Sequence, residues 1–506
     1  MLAALTSFAA VERVALLSRH GERERLIKHH TTLDEAGADS SRYGGPALLA
    51  SGLGQLSRVG QALREVYLSP TCAPEACLAG TGVLERADVH AESSGLVRTL
   101  DTAAVLLGRL SPPRGGGPPQ TVFSRAEAED YVLRGYAADK CAALTRSLRE
   151  WYSSAAFREQ EEASAALRRE AAAALRQAET QAAALEEEEG RGDGDEGGSG
   201  EAEIPLRDWW NAWDALSTSP QPLLPPEAMR RAEALIAWLE AHKFTAAPRS
   251  HLCGGALLSA LLDHLTAPLD APRLLYFSAH YPSLLCLLGA LGLSTDSGLP
   301  ADRWLSERLI APASVLAFEL HSAAEAAPPS YHLQLWLLNS TQLAAEGSNA
   351  SAVAAARRRG GGGGGWVRLE LPCGAAGEAR RCDEAAVALR GAPPAAAPPP
   401  PLRVPSASAA ASAFCEACGS TAENMAACAR RGGGEGQCVG SGVVGLASGV
   451  AAAALLLLAA GGLRWSRQGG GRRARPVTNT LAAHSALEPK SSEMAVSAAA
   501  APVAHA

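Results

Sequence analysis

The stretch from Val14 to Arg23, Val-Ala-Leu-Leu-Ser-Arg-His-Gly-Glu-Arg, constrains this chain more than any other. An unbroken apolar run ends abruptly in Arg19-His20-Gly21-Glu22-Arg23. Continuous hydrophobicity marks a strand covered on both faces, and α/β folds place their chemistry at the carboxyl ends of such strands. A histidine flanked by two arginines is ill suited to a core. Guanidiniums this close repel unless an anion lies between them, and a tetrahedral phosphate suits their fork geometry. An imidazole held beside that phosphate can attack it and form a covalent intermediate. Gly21 lets backbone and oxyanion approach closely. The plain alternative is a surface-exposed basic turn after an ordinary strand.

The rest of the chain supplies the partners of a layered fold. Leu49 to Leu68 reads as a helix, with Leu56, Val59, Leu63 and Val66 at helical spacing. Asp88 to Leu110 holds a strand and then a helix, with Arg98 and Thr99 in the helix's first turn. Pro112 to Pro119 is a Pro/Gly loop, and Ala142 to Leu185 reads as helical and partly solvated. The acidic, Gly-rich run Glu186 to Glu203 has the composition of a disordered segment rather than of a metal site. Trp209, Trp210 and Trp213 open an apolar helical patch that reads as the anchor of a cap rather than the lining of a ligand groove. Pro225 to His242 and Cys253 to Leu265 are amphipathic helices. Arg273 to His280 is a second buried strand ending in a histidine, followed by a helix over Leu284 to Leu293. Ala313 to Leu320 and Tyr331 to Leu338 alternate as strands do.

These motifs, taken in order, resemble the histidine acid phosphatase family, the second branch of the histidine phosphatase superfamily. Arg19-His20-Gly21-Glu22-Arg23 is similar to its RHGxR motif, and Gly54-Gln55 with Gly60 to Tyr67 to its LTxxGxxQ…LGxxLRxRY helix. Val97-Arg98-Thr99-Leu100 is similar to its DRTLxSA, and Tyr276 to His280 to its YSAHD. Phe318-Glu319-Leu320 and Tyr331 to Asn339 also fit, so the resemblance runs from about Val11 to Leu389.

The resemblance implies an α/β three-layer sandwich with a central, mostly parallel sheet and an inserted helical cap. It implies phosphomonoester hydrolysis with His20 as nucleophile, Arg19, Arg23 and Arg98 binding the phosphate, and His280 stabilising the transition state. Dense positive charge on the equatorial oxygens is what phosphoryl transfer needs, and no metal or other cofactor is expected. The branch resembled argues against a phosphomutase.

Two departures matter. The proline after the family's RHGxR is Arg25 here, which such a loop can tolerate. Where the family places an acid directly after its second histidine, this chain has Tyr281, followed by Pro282. A phenol with a pKa near 10 is a reluctant proton donor, and losing a matched general acid costs about 10²–10⁴ in rate. Either another carboxyl fills in, or good leaving groups are favoured, or the chain is a catalytically inactive homologue that binds a phosphorylated ligand.

Eleven cysteines without zinc-like spacing, crowded toward the final third, point to an oxidising compartment. Cys72 and Cys77 share a short loop and can pair. By resemblance, Cys373 pairs with Cys382, and Cys141 with Cys415 or Cys418. Cys253 and Cys286, on apolar helices, read as buried thiols.

Asn339-Ser340-Thr341 and Asn349-Ala350-Ser351 are glycosylation sequons. Val443 to Leu463 carries no charged residue and approaches the ~20 residues that span a bilayer. The arginines that follow, from Arg464 to Arg475, place the C-terminus in the cytoplasm. Met1 to Ala10 lacks the basic region of a signal peptide, which reads as a chain without its targeting segment.

The expected organisation is a catalytic domain over 1–389, with its cap at about 125–250 and the acidic loop at 186–203. A Pro/Ala/Ser stalk and Cys-rich segment follow over 390–440, then a membrane helix over 441–463 and a tail over 464–506. The expected partners are a phosphomonoester and a membrane, with homodimer formation left open. A net charge of -7 gives no reason to expect nucleic acid.

Overall fold

The computed structural model describes residues 10–25, 46–70, 72–73, 76–79, 83–113, 119–188, 203–219, 221–268, 270–295, 304–323, 330–345, 357, 365–373, 380–382, 385–386 and 414–418. These fall in one unit, Met1–Gly436. The expected membrane span and tail, nearly all of the stalk segment, the heart of the acidic run and Asn349 lie outside the described residues. Among the described residues, no helix is long and apolar enough to cross a membrane.

The first strand, β1 (Ala10–Arg19), is buried almost throughout. Its side chains alternate between two cores: Val14 and Leu16 enter one, Ala15 and Leu17 the other. On the first face lie α1 (Ala50–Tyr67) and, after β2 (Val89–Ser93), α2 (Val97–Leu110). After β3 (Val122–Ser124) come the helices α3 (Ala142–Tyr152), α4 (Ala155–Glu188), α5 (Trp209–Ser217), α6 (Pro226–Thr245) and α7 (Arg249–Leu265). The opposite face is covered by α7 and by α8 (Tyr281–Ala290), which follows β4 (Leu274–Ala279). Parts of α4, α5 and α6 make a third core of their own, around Phe157, Trp209 and Ile236; this is the cap. The stretch read as helical over Ala142 to Leu185 is helical, as two helices broken at residues 153–154.

The chain closes with α9 (Trp304–Glu307), β5 (Val315–Ala323), β6 (Ser330–Leu338), α10 (Ser340–Ala345), β7 (Trp366–Leu369), β8 (Leu371–Cys373), β9 (Arg380–Cys382) and β10 (Ala385–Ala386). The eight-stranded sheet runs β10-β6-β5-β1-β4-β2-β3, with β7 also on β6. Among the described residues β1–β4, β4–β2 and β2–β3 pair in parallel, and β1–β5, β5–β6, β6–β7 and β6–β10 are antiparallel. The sheet is therefore mixed, and the expectation of a mostly parallel one is corrected. The reason lies partly in spacing along the chain: β5 ends at Ala323 and β6 begins at Ser330, too close in sequence for the crossover of a dozen or more residues that parallel neighbours require.

The parallel wing fixes the site. Ser18 and Ser93 both pair with Ser278. The carboxyl ends of β1, β4 and β2 thus share one edge, and the residues that follow them meet there.

The disulfides are Cys72–Cys77, Cys141–Cys418, Cys253–Cys286 and Cys373–Cys382. Cys415 is disulfide-bonded as well. The reading of Cys253 and Cys286 as buried thiols is corrected: helical spacing rightly buries both, but α7 packs directly on α8 and brings the two sulfurs together. Asn339 is half-buried at the start of α10, where its side-chain oxygen accepts a hydrogen bond from the Thr341 amide at 3.0 Å.

Candidate active site

His20 leaves the end of β1 with its backbone fixed on both sides. Its amide donates to Ala279 O at 3.1 Å, and its carbonyl accepts from Ala313 N at 2.9 Å. Its Nδ1 lies 2.8 Å from Gly21 O. A carbonyl only accepts, so Nδ1 carries the proton and Nε2 is left with its lone pair. The imidazole is buried, and burial pushes its pKa well below the usual value, helped by the guanidiniums of Arg98, Arg19 and Arg23. The ring is thus neutral, with a lone pair on Nε2, and ringed by cations.

His280 follows β4 at the start of α8. The two imidazole centroids are 5.4 Å apart and edge to face. His280 Nε2 is 2.9 Å from Ser94 Oγ, at the end of β2, and Ser94 Oγ is 2.8 Å from Thr99 Oγ1 in the first turn of α2. This chain of contacts sets the amino ends of α2 and α8 side by side, and both favour an anion. Burial lowers the His280 pKa well below its usual value, followed by Arg98, His20, Arg134 and Arg23.

Gly21 is needed for a close approach to α1. A Cβ there would meet Gly52 O at 2.8 Å, and one on Gly52 would meet Glu22 O at 2.2 Å. The glycine therefore makes room for a helix, beyond the expected room for an oxyanion. Gln55 braces the same loop: its Oε1 accepts from Glu22 N at 3.1 Å, and its Nε2 donates to Glu22 Oε1 at 2.7 Å.

The arginines are held by different elements. Arg19 donates to Ile310 O, and its guanidinium lies 5.1 Å from the centroid of the Tyr281 ring. Burial, with Arg23 nearby, brings its pKa down to about 10, still a cation at neutral pH. Arg23 pairs with Asp214 of α5, Nη2 to Oδ1 at 2.8 Å, and sits 5.8 Å from the Trp210 ring centroid. Arg98 occupies the first turn of α2, buried.

Tyr281 is buried at the first position of α8. Its hydroxyl donates to Glu240 Oε2 at 2.6 Å, and its ring stacks on Trp210 at 6.3 Å and 13°. Tyr136 stands edge-on to His280 at 5.9 Å.

Sequence reasoning brought His20, His280, Arg19, Arg23, Arg98 and Tyr281 to the site, and the structure gathers them at one sheet edge. It missed Asp214, Glu240, Tyr136 and Ser94. Trp209 is buried in the cap core and Trp210 and Trp213 pack against it, as an anchor of the cap should, and Trp210 in addition faces Arg23 and Tyr281. A signal existed for one pair. Trp210 and Asp214 are four apart on a helix and so share a face, and Asp214 is a carboxylate on the buried side of α5.

No family model matches the chain. Over 306 residues it is 28% identical to testicular acid phosphatase of Mus musculus, covering 55% of this chain and 63% of that protein. Against the Homo sapiens testicular acid phosphatase it is 28% identical over 309 residues, with the same coverage. The chain thus spans about 63% of the length of the curated relatives it matches. Among solved structures it is similar to the phytase of Citrobacter braakii, with a TM-score of 0.47, 16% identity, and coverage of 74% of this chain and 95% of that chain. It is also similar to a multiple inositol polyphosphate phosphatase of Bifidobacterium longum, at a TM-score of 0.42, 11% identity, and coverage of 67% and 88%. The sequence likeness to two acid phosphatases supports the histidine acid phosphatase resemblance carried by the motifs.

Proposed function

We propose that this chain hydrolyses phosphate monoesters through a phosphohistidine on His20. One observation carries the reading: the Nδ1 contact with Gly21 O leaves Nε2 as a lone-pair nucleophile, neutral by burial, among three arginines and beside a second imidazole. In the first step Nε2 forms a bond to phosphorus as the ester P–O bond breaks. Arg19, Arg23 and Arg98 neutralise the equatorial oxygens, with His280 as a further contact, so that the protein's work is positioning and charge. Water then attacks phosphorus, the N–P bond breaks, and inorganic phosphate leaves.

A rival reading is a non-catalytic homologue that holds a phosphorylated ligand. It is favoured by Tyr281, whose hydroxyl is turned to Glu240 where the family has an acid. Turnover of p-nitrophenyl phosphate by the purified protein, abolished in His20→Ala, supports the hydrolase. Phosphate binding without turnover supports the rival.

We also propose a membrane-anchored protein with this domain on the extracytoplasmic side. The charge-free run Val443 to Leu463 and the disulfides support it. Glycans at Asn339 and Asn349 belong to the same proposal. Alkaline carbonate extraction and glycosidase shifts of the full chain test it.

A further inference from the structure

We propose that Tyr281 is a positioning residue for Arg19 and not a proton donor. The substrates of this site are then phosphate monoesters whose leaving oxygen departs as a stabilised anion, aryl phosphates foremost. The inference deepens the hydrolase reading above and rests on it.

The hydroxyl has one proton, and the geometry assigns it. Tyr281 Oη lies 2.6 Å from Glu240 Oε2. Glu240 is fully buried in α6, and its other oxygen is 3.3 Å from Lys243 Nζ, one turn on. The carboxyl oxygen accepts and the phenol donates, so the Tyr281 proton is committed to α6. Burial, and then Glu240, hold the phenol well above its ordinary pKa, which adds to the case. The ring has a separate role. It presents its face to the Arg19 guanidinium at 5.1 Å and stacks on Trp210 at 6.3 Å. Asp214, the other cap carboxylate at the clamp, is turned onto Arg23 through both its oxygens, at 2.8 and 3.4 Å.

The chemical consequence is direct. When His20 Nε2 bonds to phosphorus, the electron pair of the breaking P–O bond stays on the leaving oxygen. That oxygen leaves as an anion and takes its proton from water afterwards. A phenolate, stabilised by its ring, tolerates this; an alkoxide does not.

The test needs no variant to begin. The kcat/KM of the native protein is measured over a series of phosphate monoesters of graded leaving-group pKa, from p-nitrophenyl and phenyl phosphate to glycerol phosphate. A steep dependence is expected, with aryl exceeding alkyl esters by about 10²–10⁴, the rate that a general acid supplies. Tyr281→Asp is expected to close at least about tenfold of that gap. Tyr281→Phe keeps the ring and drops the tether to Glu240; it is expected to raise KM while leaving the slope unchanged. A flat native dependence, or a Tyr281→Phe variant that loses alkyl turnover selectively, would overturn the inference and leave the hydrolase reading intact. Turnover of no ester at all sinks the hydrolase reading and this inference with it.

Discussion

Arg23 Nη2 lies 2.8 Å from Asp214 Oδ1, a buried ion pair that joins the β1 loop to the cap. The cap therefore does more than cover the site: its helix α5 sets the direction of the Arg23 guanidinium. Removing one partner of a buried pair leaves the other charge uncompensated, at about 3–5 kcal/mol. Asp214→Ala is expected to lower the unfolding midpoint in urea and to raise KM more than it lowers kcat. A loss confined to kcat would place Asp214 in the chemical step instead. Steady-state kinetics beside denaturant melts separate the two.

The two imidazoles give a pH signature. Both are held well below the usual histidine value, by burial first and arginines next. The acid limb of kcat/KM assigned to His20 is therefore expected well below pH 6.5. Stability should respond to acid sooner than activity does. Below about pH 6.5 the unfolded chain binds protons that the folded chain refuses, so stability falls as pH drops. In His280→Asn one of these groups is gone, and its melting temperature should fall less between pH 7 and pH 5 than that of the native protein. Equal losses in the two proteins would contradict the assignment.

Glu319 is a second acid-sensitive point, away from the clamp. Its carboxylate accepts from Tyr67 Oη at 2.7 Å, lies 3.1 Å from His321 Nε2, and pairs with Arg357 at 2.5 Å. Burial opposes ionisation, but Arg357 and His321 hold the pKa down at about 2. The group stabilises the fold above pH 4.5, and that contribution is lost as pH falls toward 2. Glu319→Gln should cost roughly 3 kcal/mol at neutral pH and blunt the acid-induced loss of stability. Circular dichroism melts across pH read both effects.

The Cys253–Cys286 bond ties α7 to α8, the helix that His280 precedes. Non-reducing peptide mapping should recover the two cysteines as one linked peptide. Cys253→Ser with Cys286→Ser should lower stability by about 2–5 kcal/mol. Recovery of both as free thiols would contradict the structure.

What was legible in the sequence was local. β1 and β4 are apolar runs broken by histidines, so both the strands and the histidines that end them could be read without knowing their neighbours. Arg98 was legible because it opens an amphipathic helix just after a strand. What escaped depends on docking. Asp214 and Glu240 reach the clamp only because α5 and α6 fold back over it, and no periodicity announces where a cap helix comes to rest. Strand direction escaped in the same way: β5 and β6 alternate as any strand does, and only their pairing makes them antiparallel. Cys253 and Cys286 were rightly buried but wrongly left apart, since a disulfide is a fact of two helices at once.

Everything turns on whether His20 carries phosphate during turnover. The direct measurement is to quench the native protein in alkali during reaction with ³²P-labelled p-nitrophenyl phosphate and map the label by peptide sequencing. The expected result is an acid-labile, base-stable phosphoramidate on His20, absent from His20→Ala. Turnover with label on another residue, or with no label held through the cycle, would contradict it.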